Sequence, residues 1–175
     1  MIKDFNIENF KGFEKLSIEN LARVNLFGGK NNVGKTSLLE SIFTFHDRYN
    51  PDLLIKQLAW RGAFLVALKE ETQHELWLSA FHNFDLKKKI QLTSIDSENG
   101  TEKVEIDIDE NFVVPISSGE LSNYNKGINS STTQIRSKYA LHIKTIVKSK
   151  IQQDCHVYFL NNNIQMYVKF LDGRK

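Results

Sequence analysis

A single cysteine, Cys155, stands among 175 residues, with two prolines and two methionines. One thiol cannot form an internal bridge, so a disulfide framework is excluded and a reducing compartment fits. Nine glycines and two prolines rule out a collagen-like repeat. Charge of one sign is lacking too. The 23 basic and 21 acidic side chains leave a net +2, which argues neither for a nucleic-acid coat nor for a polybasic membrane anchor. No stretch approaches the roughly 20 apolar residues that span a bilayer. Lys3, Asp4 and Glu8 fall where a signal peptide needs an apolar run, so a cytoplasmic protein without a membrane partner is expected. What is there is ordinary globular material, 41% hydrophobic and 25% charged. That is enough to bury one core and too apolar for bulk disorder.

Patterning divides the chain in two. Phe5 and Ile7, Leu16 and Ile18, and Val24 and Leu26 alternate with polar neighbours and predict three short strands. Gly28-Gly29 interrupts them. Leu38, Leu39, Ile42, Phe43 and His46 recur at three and four, which predicts a helix over 35–46 with that face buried. Asn50-Pro51 reads as the cap and first residue of a second helix, burying Leu53, Leu54 and Leu58. Thr72 and Glu75 form a capping-box pattern before a third helix running into Phe81. From Lys88 the period becomes two. A hairpin is predicted from Ile90-Leu92 and Val104-Ile106-Ile108, then a strand over Tyr139–Val147 and a last hairpin of 155–160 with 164–170. The Ser/Asn/Gly-rich stretch 117–137 reads as a mobile loop.

One motif carries chemistry. Residues 29–36, GKNNVGKT, match G-x-x-x-x-G-K-[ST] without departure, between an apolar segment and an amphipathic helix. Such a loop turns its backbone N–H groups at Asn32, Val33, Gly34, Lys35 and Thr36 inward as a nest for phosphate oxygens. The following helix adds the positive end of its dipole. Gly29 and Gly34 permit geometry and close approach that a Cβ would block. Lys35 is placed for the β/γ oxygens, Thr36 for Mg²⁺, and Ser37 for the α-phosphate. The ligand implied is ATP with Mg²⁺.

The run IENFKGFEKLSIENLARVNLFGGKNNVGKTSLLESIF resembles the N-terminus of ABC-type ATPases of the SMC/RecF group, above all the OLD-like prokaryotic AAA family ATPases. Three features carry the likeness: an F-[KR]-x-[FH] segment at Phe10-Lys11-Gly12-Phe13, the pair Asn31-Asn32 inside the loop, and a helix opening Thr-Ser-Leu-Leu-Glu-Ser-Ile. It is dense over residues 2–45 and faint beyond. It implies that Lys11 lies near the nucleotide phosphates and, faintly, that Arg61 belongs to an Arg-containing loop. It implies an α/β (α+β) fold class: a single N-terminal P-loop NTPase lobe with a mixed sheet and an antiparallel β-rich second half. Residues 1–83 would hold the P-loop strands and helices, and 84–175 the antiparallel part. A C-terminal lobe would be absent from this chain, making it a fragment or truncation. The implied partners are that lobe or a second protomer in a head-to-head dimer, and a nuclease effector such as a Toprim domain. DNA-linked work, repair or defence against phage, is implied by resemblance and not by composition.

A complete ATPase of this type also needs a Walker B strand and a signature segment. VEIDIDE, 104–110, ends in Asp109-Glu110 but alternates as a half-solvated antiparallel strand does. ISSGEL, 116–121, imitates a signature but leads into a sequence without helical period. No catalytic residue is therefore assigned. Scattered His46, His74, His82, His142 and His156 show no paired metal spacing. Trp60, Trp77 and Phe81 read as core. Two other readings use the same loop: a small P-loop kinase or GTPase, and a non-catalytic module that a nucleotide switches. The guanine reader fails at Asn125-Lys-Gly-Ile128 for lack of Asp, and no Arg-rich lid exists for a kinase.

Overall fold

The computed structural model describes residues 1–61, 73–96, 100–114, 136–137, 139–160 and 163–171. Period-two alternation governs most of them. β1 (Ile2–Phe10) and β2 (Phe13–Ile18) form the first hairpin, and β3 (Ile90–Asp96) and β4 (Gly100–Asp109) the second. A two-stranded side sheet joins β5 (Phe112–Val113) to β6 (Arg136–Ser137). β7 (Ala140–Val147), β8 (Lys150–Leu160) and β9 (Asn163–Phe170) complete a meander. The main sheet has seven strands in the order β2-β1-β3-β4-β7-β8-β9.

Every pairing in that sheet is antiparallel, which corrects the expected mixed sheet. The reason lies in residues 24–27. They lead into the glycine-rich loop but form no ladder, and Val24 and Leu26 are 88% and 96% exposed. Ala22 N–H and the Asn25 side chain close a local turn, with N–H to Oδ1 at 2.9 Å and Nδ2 to the Ala22 carbonyl at 2.8 Å. The alternating pattern there is real, but no described strand lies beside it to take its hydrogen bonds. The sheet also runs across residue 83, because β1 pairs with β3 from Glu8↔Gln91 to Asp4↔Ile95.

One face of the sheet is apolar row by row. Ile7 stands opposite Leu92, Leu92 opposite Val104, Ile106 opposite Ile143, and Ile143 opposite Cys155, all buried. Helix α1 (Lys35–His46) lies on this face with Phe45 edge-on to Phe5 at 5.4 Å. α1 begins and ends where the sequence predicts, but its buried face differs. Leu38, Ser41, Thr44 and Phe45 are buried while Leu39 is exposed. The two hydroxyls can go inside because each bonds a carbonyl one turn back: Ser41 Oγ to Leu38 O at 2.7 Å and Thr44 Oγ1 to Glu40 O at 2.8 Å.

α2 (Leu53–Trp60) buries Leu53, Leu54 and Leu58 as expected, together with Gln57. It starts later than predicted, with Asp52 as N-cap; Asn50 instead accepts from Asp52 N–H at 3.4 Å. α3 (Gln73–Leu78) ends before Phe81, which bridges back to Phe10. Trp77 is fully buried, its indole N–H donating to the Tyr139 carbonyl at 3.1 Å. Trp60 is not core: it is 64% exposed, resting edge-on against Phe43 at 4.9 Å. Thr72, ISSGEL, most of the 117–137 stretch and Asn125–Ile128 lie outside the described residues.

Candidate functional site

The glycine-rich loop closes onto the first turn of α1. Its last residue, Gly34, is the N-cap with φ 95° and ψ 7°, a left-handed conformation that side chains disfavour. A Cβ there would also sit 2.9 Å from Phe13 Cζ. Glycine is thus required twice, and the aromatic end of the Phe10–Phe13 segment rests directly on the loop. The N-cap offers no side-chain acceptor, and the first turn of α1 carries no acidic residue. The positive end of the helix is left for a ligand to complement. Lys35 folds back across the loop, its ammonium donating to the carbonyls of Gly29 at 2.7 Å and Lys30 at 2.6 Å.

An open cavity lies over this turn. Asn31, Asn32, Gly34, Lys35, Thr36 and Ser37 form its floor, and Glu40, Trp60 and Arg61 its far wall. Six of the loop residues singled out from the sequence are therefore brought together, while Gly29 lies outside the lining. Val33 stands apart, half exposed, with its side chain turned toward Gly29.

Lys11 does not line that cavity. Its ammonium meets Glu40 Oε2 at 2.7 Å and Gln57 Oε1 at 3.1 Å. The guanidinium of Arg61 grips the same carboxylate with Nε at 2.8 Å and Nη2 at 2.6 Å. Glu40 thus joins Lys11, on the turn after β1, to Arg61, at the end of α2. Burial alone would raise the Glu40 carboxyl, but hydrogen bonds from Arg61 and Lys11, and their charges, hold it below the usual range. Burial pulls the Lys11 ammonium down, and Glu40 offsets only part of that. The triad carries one net positive charge, beside the charge of Lys35.

Glu40 was not singled out from the sequence, Trp60 read there as core, and Arg61 stood out only through resemblance. One signal was available: Glu40 lies four residues after Thr36, one turn along the same helix face. Asp109, at the end of the acidic strand that imitates a Walker B, sits in antiparallel β4 with its carboxylate 3.4 Å from His156.

Residues 1–172 match the AAA ATPase domain family. The chain belongs to that family. Membership makes it a nucleotide-binding ATPase domain, as the loop geometry leads one to expect. Three curated proteins are similar over parts of it. An uncharacterized protein of Methanocaldococcus jannaschii is 40% identical over 67 residues, 35% of this chain and 31% of that protein. An ATP/GTP phosphatase of Helicobacter pylori is 27% identical over 107 residues, 61% of this chain and 28% of that protein. The DNA replication and repair protein RecF of Clostridium beijerinckii is 43% identical over 42 residues, 24% of this chain and 11% of that protein. The chain spans about a third or less of the relatives it matches. Among the described residues no helix is long and apolar enough to cross a membrane.

Proposed function

We propose that this chain is the ATP·Mg-binding lobe of an SMC/RecF/OLD-like ATPase, and that it needs a second lobe or protomer to hydrolyse ATP. The observation that carries the reading is the loop at the N-terminus of α1, with Gly34 left-handed and Lys35 drawn across it. A phosphate chain suits that place: the backbone N–H groups of 32–36 would surround it as in other loops of this motif, and the helix terminus complements its charge. Lys35 exchanges its two carbonyl partners for phosphate oxygens. Asn31, Asn32 and Ser37 border the phosphates, with Val33 contributing its backbone alone. Mg²⁺, when bound, neutralises phosphate charge, and the Thr36 hydroxyl is the residue to hold it. Lys11 acts from behind, through Glu40 and Arg61. Trp60 offers an exposed aromatic face at the rim, suited to a nucleobase.

Binding of this kind is uniform: it stabilises ground state and transition state alike and accelerates little. Turnover also needs a group that orients water in line with the γ-phosphate. The exposed Val24 and Leu26 support a partner that lies against residues 22–28. That partner is the C-terminal lobe or a second protomer, head to head. DNA repair is the wider setting proposed, supported by the likeness to RecF over 42 residues; anti-phage work with a nuclease effector is proposed on the resemblance of residues 2–45 to OLD-like ATPases alone.

Calorimetry with Mg-ATP tests the site. Lys35→Ala removes a charge-assisted hydrogen bond of about 1.5–3 kcal/mol, so affinity should fall about tenfold or more. Equal affinity in both proteins would end the reading. Phosphate release by the chain alone should stay far below ~1 per second, the low end of ordinary enzymes. Faster release that vanishes in Lys35→Ala would show that no second lobe is needed.

A further inference from the structure

The sheet face opposite the helices carries two stacked histidines. Antiparallel register sets Asp107 on β4 opposite His142 on β7, and His142 opposite His156 on β8. The imidazole planes lie 8° from parallel, with centroids 4.2 Å apart. Phe112 of β5 closes the other face of His156 at 4.1 Å and 12°. Phe112 is buried together with Val114, Ala140 and Tyr158, so the side sheet rests on the main sheet through this stack and the small cluster beside it. The two histidine side chains are 14% and 13% exposed.

The two rings are held differently. His142 Nδ1 lies 3.0 Å from Asp107, and its Nε2 lies 2.9 Å from Asp154. An ionised carboxylate only accepts, so both nitrogens donate and the ring is an imidazolium. His156 has longer contacts, Nε2 to Asp109 at 3.4 Å and Nδ1 to Asp154 at 3.8 Å. The charges around the pair are mixed. β4 brings Glu105, Asp107 and Asp109 to this face, and Lys89, just before β3, pairs with Asp107 at 2.8 Å. Lys144 on β7 and Lys169 on β9 stand opposite Asp154 in register, and Tyr167 on β9 stands opposite His156. β5 carries no charge, the turn before it carries the exposed Glu110, and β6 carries Arg136 opposite Val113. Burial alone would raise the Asp107 carboxyl, but hydrogen bonds from His142 and Lys89 hold it at about 2, so this partner stays ionised wherever histidines titrate.

We propose that this stack is a proton-operated latch: with His142 charged and His156 neutral it is closed, and a second proton, on His156, opens it and frees the side sheet. Two parallel cations 4.2 Å apart repel each other, in a place too covered for water to screen them well. Attraction of a charged His156 to the face of Phe112 is the smaller effect. Asp154 is already committed to His142, so the ring with the weaker hold, His156, gives way and Phe112 loses its stacking partner. Burial and the charge of His142 push the His156 imidazole down, and Asp154 and Asp109 offset only part of that. Burial opposes a charge on His142 too, but Asp107 and Asp154 overcome it and raise that imidazole. The pair therefore takes up its protons in two separated steps. The contribution of His142 is present below the unfolded value of about 6.5 and is lost as pH rises through its higher folded value. That of His156 is present above about 6.5 and is lost as pH falls through its lower folded value. The latch holds best between the two steps.

The test uses the whole 175-residue chain. The ring resonances of His142 and His156 should titrate in two steps, one above and one below about pH 6.5. Amide hydrogen exchange in β5 and β6, corrected for its intrinsic pH dependence, should lose protection about tenfold for each pH unit between about 6.5 and the His156 step. The amides of β7 and β8 should not follow. His156→Phe keeps a stacked ring without the proton, so its side sheet should stay protected down to about pH 5. His142→Gln removes the neighbouring charge, so His156 should titrate at a higher pH than in wild type. Should either variant fail to fold, the wild-type titration and exchange decide alone. Equal protection of β5 and β6 on both sides of the His156 step in wild type would overturn the proposal. So would the same acid loss in His156→Phe, or a His156 step unmoved in His142→Gln.

Discussion

Replacing Glu40 by glutamine separates two roles that the triad combines. The Lys11 and Glu40 side chains are 10% and 11% exposed, and they meet at 2.7 Å. Removing one partner of so buried a pair costs about 3–5 kcal/mol, because the other charge is left uncompensated. Two features reduce that figure here. Glutamine keeps an oxygen that Lys11 can use, and Arg61, with a side chain 49% exposed, can turn its guanidinium to water. A loss of about 2–3 kcal/mol is expected, or roughly 4–12 °C in melting temperature for a chain of this size.

Nucleotide affinity should move the other way. Loss of the carboxylate leaves Arg61 free at the cavity wall, so Mg-ATP should bind at least as tightly to Glu40→Gln as to wild type below the melting range. A pH series checks the cause. The folded carboxyl of Glu40 is held below its unfolded value, which is about 4.3. Its contribution is therefore complete above that pH and lost as pH falls through the folded value. The melting difference between wild type and Glu40→Gln should persist at pH 7 and close below about pH 4. A double-mutant cycle with Lys11→Met should show coupling above about 1 kcal/mol. A melting temperature unchanged by Glu40→Gln, or additive effects in the cycle, would refute the reasoning.

Two further expectations follow from the same site. Trp60 is exposed at the cavity rim while Trp77 is fully buried. Mg-ATP should therefore change only the solvent-exposed part of the tryptophan emission, and Trp60→Phe should abolish the change; a signal surviving that substitution would place the nucleotide elsewhere. Gly34→Ala meets both a left-handed backbone and the Phe13 ring at 2.9 Å. It should cost about 1–2 kcal/mol for the backbone alone and impair ATP binding, whereas Gly12→Ala, with nothing within 4 Å of the added carbon, should be near neutral in denaturant titrations.

What the sequence made legible was local. The bounds of α1 and the β3–β4 hairpin follow from spacings of two, three or four along the chain, and the G-x-x-x-x-G-K-[ST] motif marks the loop that opens α1. The buried face of α1 did not, because Ser41 and Thr44 satisfy their hydroxyls within the helix and so become core material. Features made by two elements meeting were hidden. Trp60 reads as core by composition, yet α2 presents it beside the loop. Lys11, Glu40 and Arg61 meet only once β1, α1 and α2 have docked. His142 and His156 stand apart in sequence, and antiparallel register alone stacks them.

The ladder between β1 and β3 has a consequence for how the molecule assembles. The pairs β1–β2, β3–β4, β7–β8 and β8–β9 join strands that follow one another, and such hairpins form within microseconds. β1–β3 is different: Glu8 meets Gln91, and the whole candidate nucleotide site lies in the chain between them. Closing so long a loop spends entropy before any contact rewards it. The P-loop and its helix are therefore gathered late, onto strands that have already paired. Separating β1 from β3 would in turn release α1, the loop and the Lys11–Glu40–Arg61 triad as one cooperative unit, while β3, β4, β7, β8 and β9 keep their ladders.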